Sequence, residues 1–207
     1  MEPLGLYTRR GNGTYHTACK AADSKRLSRP LGYTLIEMAF TLSIASILLA
    51  IAAPDFRDAI LSARLSANMN ELVHDLHLAR TLAISNAEVI TVCQSRDGRQ
   101  CGSTPQWEVG WLVFKDPNVN RKVDEDETIV RQHDALSTGL DIRFRAFGSS
   151  RNLSYYPTGW TWNRNGTFTF CDDRGASKAR AIILHRTGRV RTSHLKAGGD
   201  ALTCPPG

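Results

Sequence analysis

Much is missing from this sequence of 207 residues. No Gly-x-Ser-x-Gly elbow and no phosphate-binding glycine loop occurs, so two common enzyme signatures are absent. The 6 histidines are scattered along the chain, and no Cys-x-x-Cys pair is present, which argues against a structural zinc site. His74 and His77 share a helix-like spacing of three and read better as surface or packing residues than as ligands. No catalytic constellation emerges and no cofactor is expected. Charge is also missing in two places. Residues 33–53 contain a single ionisable acid, Glu37, and no basic residue. Residues 174–199 contain no acid at all.

The first gap marks the stretch that organises the chain. As a helix, residues 33–53 would be roughly 30 Å long, enough to cross the hydrocarbon core of a bilayer. A carboxylate inside such a segment costs on the order of 3 kcal/mol on insertion scales, so Glu37 demands a reason. Residues 1–31 are rich in Gly, Thr, Ser, Lys and Arg without an apolar period. The net charge is +6. Residues 1–32 hold Arg9, Arg10, Lys20, Lys25, Arg26 and Arg29 against Glu2 and Asp23. The basic balance is therefore mostly a property of this segment, and it fits retention on the cytoplasmic side of a membrane.

The motif Gly32-Tyr33-Thr34-Leu35-Ile36-Glu37, an apolar helix, and then Pro54 resemble the class III signal of type IV prepilins and pseudopilins. The resemblance implies that a prepilin peptidase cuts between Gly32 and Tyr33 and methylates the new N-terminus at Tyr33. It implies that Glu37, fifth in the mature chain, meets the N-terminal amine of a neighbouring subunit. The usual first mature residue is Phe, so Tyr33 is a mild departure. A secretory signal reads differently, with a shorter apolar region and the cleavage site after it.

Past Pro54, Leu61, Leu65, Met69, Leu72, Leu76, Ala79 and Ala83 recur at spacings of three and four, the pattern of an amphipathic helix. One long helix is expected over residues 33–86, with Pro54 at most a kink. The domain plan is a leader over 1–32, a transmembrane half-helix over 33–53, an amphipathic half over 54–87, and a β-rich domain over 88–207. Strands are expected over residues 88–93, 107–114, 128–131, 140–144, 166–170, 179–184 and 189–191, separated by turns such as Asp97-Gly98, Asn165-Gly166 and Thr187-Gly188. The fold class is α+β, with a long N-terminal helix packed on an antiparallel β domain.

Leu78-Ala79-Arg80-Thr81-Leu82-Ala83-Ile84, Gly110-Trp111-Leu112-Val113-Phe114 and Gly188-Arg189-Val190-Arg191 occur in that order. Together they resemble the FimT/GspH group of minor pilins and pseudopilins. The implied role is assembly of a type IV pilus or a type II secretion pseudopilus. The implied partners are other pilins, the peptidase/methyltransferase and an inner-membrane assembly platform. The implied location is the inner membrane, single-pass, with the C-terminal domain in the periplasm or in an extracellular pilus.

Cys19 lies in the leader and would be lost on cleavage; Cys93, Cys101, Cys171 and Cys204 remain. An even number in an exported domain suggests disulfides, with three possible connectivities. Cys93–Cys101 with Cys171–Cys204 is favoured, closing a short loop and pinning the C-terminal tail. Free buried thiols are the alternative.

Two further features carry chemistry. Asp116, Asn118, Asn120, Asp124 and Glu127 fall at positions 1, 3, 5, 9 and 12 of a calcium loop, with Arg121 where that loop has glycine. A polar hairpin loop with solvated carboxylates is the favoured reading, and calcium the alternative. The second acid-free stretch holds Arg174, Lys178, Arg180, Arg186, Arg189, Arg191 and Lys196. Arg189 and Arg191, if on a strand, would share a face about 6.6 Å apart, with Arg186 across the turn. Guanidinium groups so placed suit phosphate oxygens. Some members of the resembling group act in DNA uptake, where a Gly-Arg-x-Arg element is implicated. DNA capture by Arg186, Arg189 and Arg191 is weighed against a solvated or subunit-docking surface.

Overall fold

A computed structural model describes residues 32–162 and 164–205. The leader expected over 1–32, with Cys19 and its basic residues, lies outside the described residues except for Gly32. The chain divides after Ser46 into two compact units.

Helix α1 runs Leu35–Asn86, and its helical assignment continues through Pro54. Thr34 caps its start: the Thr34 side-chain oxygen accepts the Glu37 N–H at 3.3 Å. Glu37 therefore holds the third helical position, where a carboxylate favours the helix dipole. Residues 35–52 are exposed throughout. Their hydroxyls bond inward, Thr41 to Met38 O, Ser43 to Ala39 O and Ser46 to Ser43 O. That leaves a surface with little unmet polarity, as apolar surroundings require.

The second unit begins within the same helix. Leu65, Met69, Leu72, Leu76, Ala79 and Ala83 are buried, each three or four residues from the next, while Leu61 is only half-buried. They pack into one core with the inward faces of two sheets. One sheet has the order β3-β2-β1-β5 and the other β4-β6-β7-β8. The strands are β1 (Ile90–Gln94), β2 (Trp111–Lys115), β3 (Ile129–His133), β4 (Leu140–Ala146), β5 (Asn152–Tyr155), β6 (Gly166–Asp172), β7 (Arg180–Leu184) and β8 (Val190–Ser193). Every pairing is antiparallel.

Alternation along the strands assigns each face. Ile90 and Val92 of β1 and Trp111 and Val113 of β2 enter the main core. Cys93, Leu112 and Phe114 form a satellite cluster with Cys101, Val123 and Ile129, as period-two geometry dictates. In the other sheet Phe168, Phe170, Ile182 and Leu184 face the main core, and Cys171, Ala179, Ala181 and Leu202 form a second satellite. The disulfides are Cys93–Cys101 and Cys171–Cys204, the two pairs favoured among the three connectivities. Each belongs to one satellite and ties a flanking segment to one sheet.

Three local expectations need correction. Residues 107–114 are not one strand: Trp107–Val109 is a 3-10 turn, and Gly110 at φ 110 separates it from β2. Arg189 precedes β8, which starts at Val190. β5 was not expected, because Asn152-Leu-Ser-Tyr155 is short and half polar; it pairs with β1 through the register Ile90↔Tyr155.

An internal ion pair joins the helix to the sheet. Asp75 is fully buried; its Oδ2 accepts the Trp111 indole N–H at 2.7 Å, and its Oδ1 lies 2.6 Å from Arg131 Nε. His133 stacks on Trp111 with ring centroids 3.9 Å apart.

Candidate functional site

Three places hold the residues singled out from the sequence. At the chain's described start, Tyr33 and Glu37 are both exposed, and Tyr33 precedes the helix. Exposed apolar side chains surround them, Leu35, Ile36, Met38 and Phe40 among others.

The β7–β8 turn is the second place. Residues Arg186-Thr187-Gly188 form a three-residue hairpin loop. The His185 N–H donates to Arg189 O at 2.9 Å and the Gly188 N–H to His185 O at 2.8 Å. Gly188 has φ 75, the left-handed conformation that this loop type needs. A Cβ there would meet Gly159 O at 2.0 Å, so the glycine also permits a close approach. The loop at residues 156–162 packs on this turn: Thr161 N–H donates to Arg186 O at 2.9 Å. Arg80 of α1 reaches the same place and donates from Nε to Gly159 O at 3.1 Å. Beneath lies the Tyr155 hydroxyl, buried and without a partner; burial pushes its pKa up, against the opposing charge of Arg80.

These elements border an open groove of about 860 Å³ lined by Arg80, Trp160, His185, Arg189 and Arg191. Among the described residues no carboxylate forms a salt bridge with Arg186, Arg189 or Arg191. The structure brings Arg189 and Arg191 together on the groove; Arg186 is exposed and does not line it. Sequence reasoning missed Arg80, which is more than 100 positions away along the chain. Its only signal was a basic residue beside the buried stripe of the helix.

The third place is the loop between β2 and β3. Asp116 is fully buried and accepts the Thr91 hydroxyl at 2.6 Å. Thr91 in turn shares a hydrogen bond with Ser154 at 2.8 Å. Asn118 and Asn120 donate to Asp124 Oδ2 at 2.8 and 2.6 Å. Those amide bonds hold the Asp124 carboxyl below its usual range, with Lys122 assisting against slight desolvation. Glu127 moves the other way: burial raises it, and Asp116, Asp124 and Asp126 add repulsion. The expectation of solvated carboxylates therefore fails for Asp116 and in part for Glu127, because β1 and β5 cover the start of the loop. Among the described residues, no three His, Cys, Asp or Glu side chains converge as a ready-formed metal cluster. His74 and His77 are exposed.

The profile of the family described as "Type II transport protein GspH" matches residues 68–188. No curated protein matches the chain. Among solved structures, the type IV minor pilin FimU of Pseudomonas aeruginosa superposes with a TM-score of 0.50 at 20% identity. The match covers 62% of this chain and 87% of that one. The minor pseudopilin EpsH from the type 2 secretion system of Vibrio cholerae is 12% identical with a TM-score of 0.45. That match covers 63% of this chain and 96% of the other.

Proposed function

The chain belongs to the GspH family, whose profile spans more than half of it, and from that membership we propose that it is a minor subunit of a pilus or pseudopilus. The fold of one long apolar helix and antiparallel sheets agrees with that of a minor pilin. In this reading the protein is made as a prepilin, cleaved between Gly32 and Tyr33, N-methylated at Tyr33, and held in the inner membrane by the first half of α1. The β domain stands in the periplasm, and an assembly platform later moves the subunit into a filament of type IV pilus or type II secretion type.

One observation carries the reading. Residues 35–52 form an exposed apolar surface with internally bonded hydroxyls, and the one carboxylate on it, Glu37, has no side-chain hydrogen bond or salt bridge among the described residues. Such a helix needs lipid before assembly and neighbouring helices afterwards. Glu37 then finds its counter-charge in the free amine of another subunit. The test is the mass and N-terminal sequence of the protein recovered from membranes. A chain starting at N-methyl-Tyr33, and an unprocessed chain after Gly32→Ala, are expected. A mature start elsewhere overturns the reading.

A second reading concerns the basic groove. Arg80, Arg189 and Arg191 border it without a salt bridge to an acid among the described residues, and Trp160, 42% exposed, offers a ring face for a base. The groove suits capture of DNA by its phosphates. Micromolar DNA binding by the full chain in detergent is expected to weaken with salt and to vanish in the Arg189→Gln, Arg191→Gln double variant. Absence of binding at low salt removes this second role and leaves assembly alone.

A further inference from the structure

The loop at residues 116–127 contains two buried carboxylate oxygens without a hydrogen-bond partner among the described residues. Asp116 is 0% exposed. Its Oδ2 accepts the Thr91 hydroxyl at 2.6 Å and the Arg121 N–H at 3.2 Å, which orients the carboxylate toward the loop. Its Oδ1 is buried without a partner. Glu127 repeats the pattern: Oε2 accepts the Asp124 N–H at 3.1 Å, and Oε1 is buried without a partner. Buried acceptors are normally satisfied, so two orphans in one loop call for a donor or a cation. Both orphan atoms belong to carboxylates, and Asp124, Glu125 and Asp126 lie in the same short loop, so the missing element is positive charge.

The nearest basic side chains do not supply it. Arg121 gives only its backbone N–H to Asp116. Its side chain lines a separate cleft with Phe147, Tyr156, Trp162 and Arg164. There burial, together with the charge of Arg121, lowers the Arg164 pKa. Lys122 is exposed, and its charge reaches Asp124. The substitution of arginine for the loop glycine thus places no charge on the orphan oxygens. The sharp turn is kept as well: Arg121 has φ 62.

We propose that residues 116–127 bind one calcium ion. The donors are the carboxylates of Asp116, Asp124 and Glu127, the side-chain oxygens of Asn118 and Asn120, and the backbone carbonyl of Lys122. The set is all oxygen, without imidazole or thiolate, which selects a hard cation over zinc or copper. So many protein donors in one loop favour calcium over magnesium, which prefers to keep its waters. Only three donors are acidic, and Asn118 and Asn120 draw Asp124 aside. That is why no cluster of three acids converges, although the donors follow the calcium-loop order. The N–H groups on Asp124 are partial positive charges where a calcium ion supplies a full one. The ion would also tie the end of β2 to the start of β3.

The test uses the full chain in detergent, stripped with EDTA and then titrated with calcium chloride by calorimetry, with thermal melts alongside. One ion per chain is expected, with a Kd on the order of 10⁻⁵ to 10⁻³ M. The Tm should rise by roughly 2–15 °C in 5 mM calcium, depending on where in that range the Kd falls, and by less than about a third of that in 5 mM magnesium. Glu127→Gln should weaken binding at least about tenfold, while Glu125→Gln, exposed and outside the donor positions, should leave it within about twofold. Glu127 is half-buried, so its variant remains informative even if Asp116→Asn fails to fold. Absence of a calcium-dependent shift overturns the proposal. So do equal responses to calcium and magnesium, or undiminished binding by Glu127→Gln.

Discussion

Helix α1 has two halves that share a backbone and differ in their partners. Residues 35–52 expose every side chain, Leu, Ile and Phe included. From Leu65 to Ala83 a buried stripe enters a core built with two sheets. Glu37 in the first half has no counter-charge among the described residues, whereas Asp75 in the second is buried against Arg131 and Trp111. One half is completed inside the chain. The other half presents a continuous exposed apolar surface, of the kind that marks an interaction or membrane surface. Secondary structure alone says nothing of this division; the identity of the surroundings decides it.

The sharpest test compares a core leucine with an exposed isoleucine. Leu76→Ala should lower the stability of the β domain by about 2–5 kcal/mol, because Leu76 is fully buried. Ile44→Ala should change it by less than about 0.5 kcal/mol, since Ile44 is 58% exposed. Thermal melts of both variants in detergent decide, and similar losses would erase the distinction between the halves.

The disulfides should act on the second unit only. With a separation of 33 residues, Cys171–Cys204 closes the longer loop, worth roughly 3.7 kcal/mol on chain-entropy grounds. Cys93–Cys101, separated by 8, is worth roughly 2.5 kcal/mol. Paired serine substitutions should reproduce that order in denaturant midpoints. Hydrogen exchange of residues 35–52 in micelles should stay unchanged.

The two carboxylates should then separate stability from assembly. Asp75→Asn should cost about 1–3 kcal/mol, less than a fully buried pair because Arg131 is 40% exposed. Glu37→Gln should leave the melt within about 0.5 kcal/mol and yet remove the subunit from purified filaments. Filaments that retain the Glu37→Gln protein would show that the first half completes itself without that charge.

The smallest effect is a pH dependence in the contact between helix and sheet. Arg174 grips Asp172 at 2.6 Å and reaches Asp58 O and Ser62 Oγ on α1. Burial alone would raise the Asp172 pKa, but the Arg174 hydrogen bonds and charge outweigh it and hold the carboxyl below its usual value. A depressed native value means that the contribution is present above the unfolded-state pKa, near 3.9, and is lost as pH falls through the native value. Melts between about pH 2 and 6 should show this decline, and Arg174→Gln should flatten it.

The helix, its buried stripe and most strands were legible because period 3.6 and period two are written in residue order. The disulfide pairing was legible because one short loop and one tail offered a natural division. β5 was not, since four residues of mixed polarity become a strand only beside β1. Arg80 was not, because its place on the groove depends on how the helix packs against the turn at Gly188. The loop at residues 116–127 was half legible: donor spacing is local, and the burial of Asp116 is imposed by Thr91 and Ser154 from two other strands.

The chain by itself determined its membrane-length apolar run, the lone glutamate near its start, and the GspH-family character of the rest. Those follow from local composition and spacing, which need no tertiary contact to exist. Tertiary structure decided which charges are free and which are held. Asp75 was paired inside with Arg131 and Trp111, Arg189 and Arg191 were joined by Arg80, and two buried carboxylate oxygens were left without a partner among the described residues. Solvation and pairing depend on residues distant in sequence, so only the packed fold could assign them.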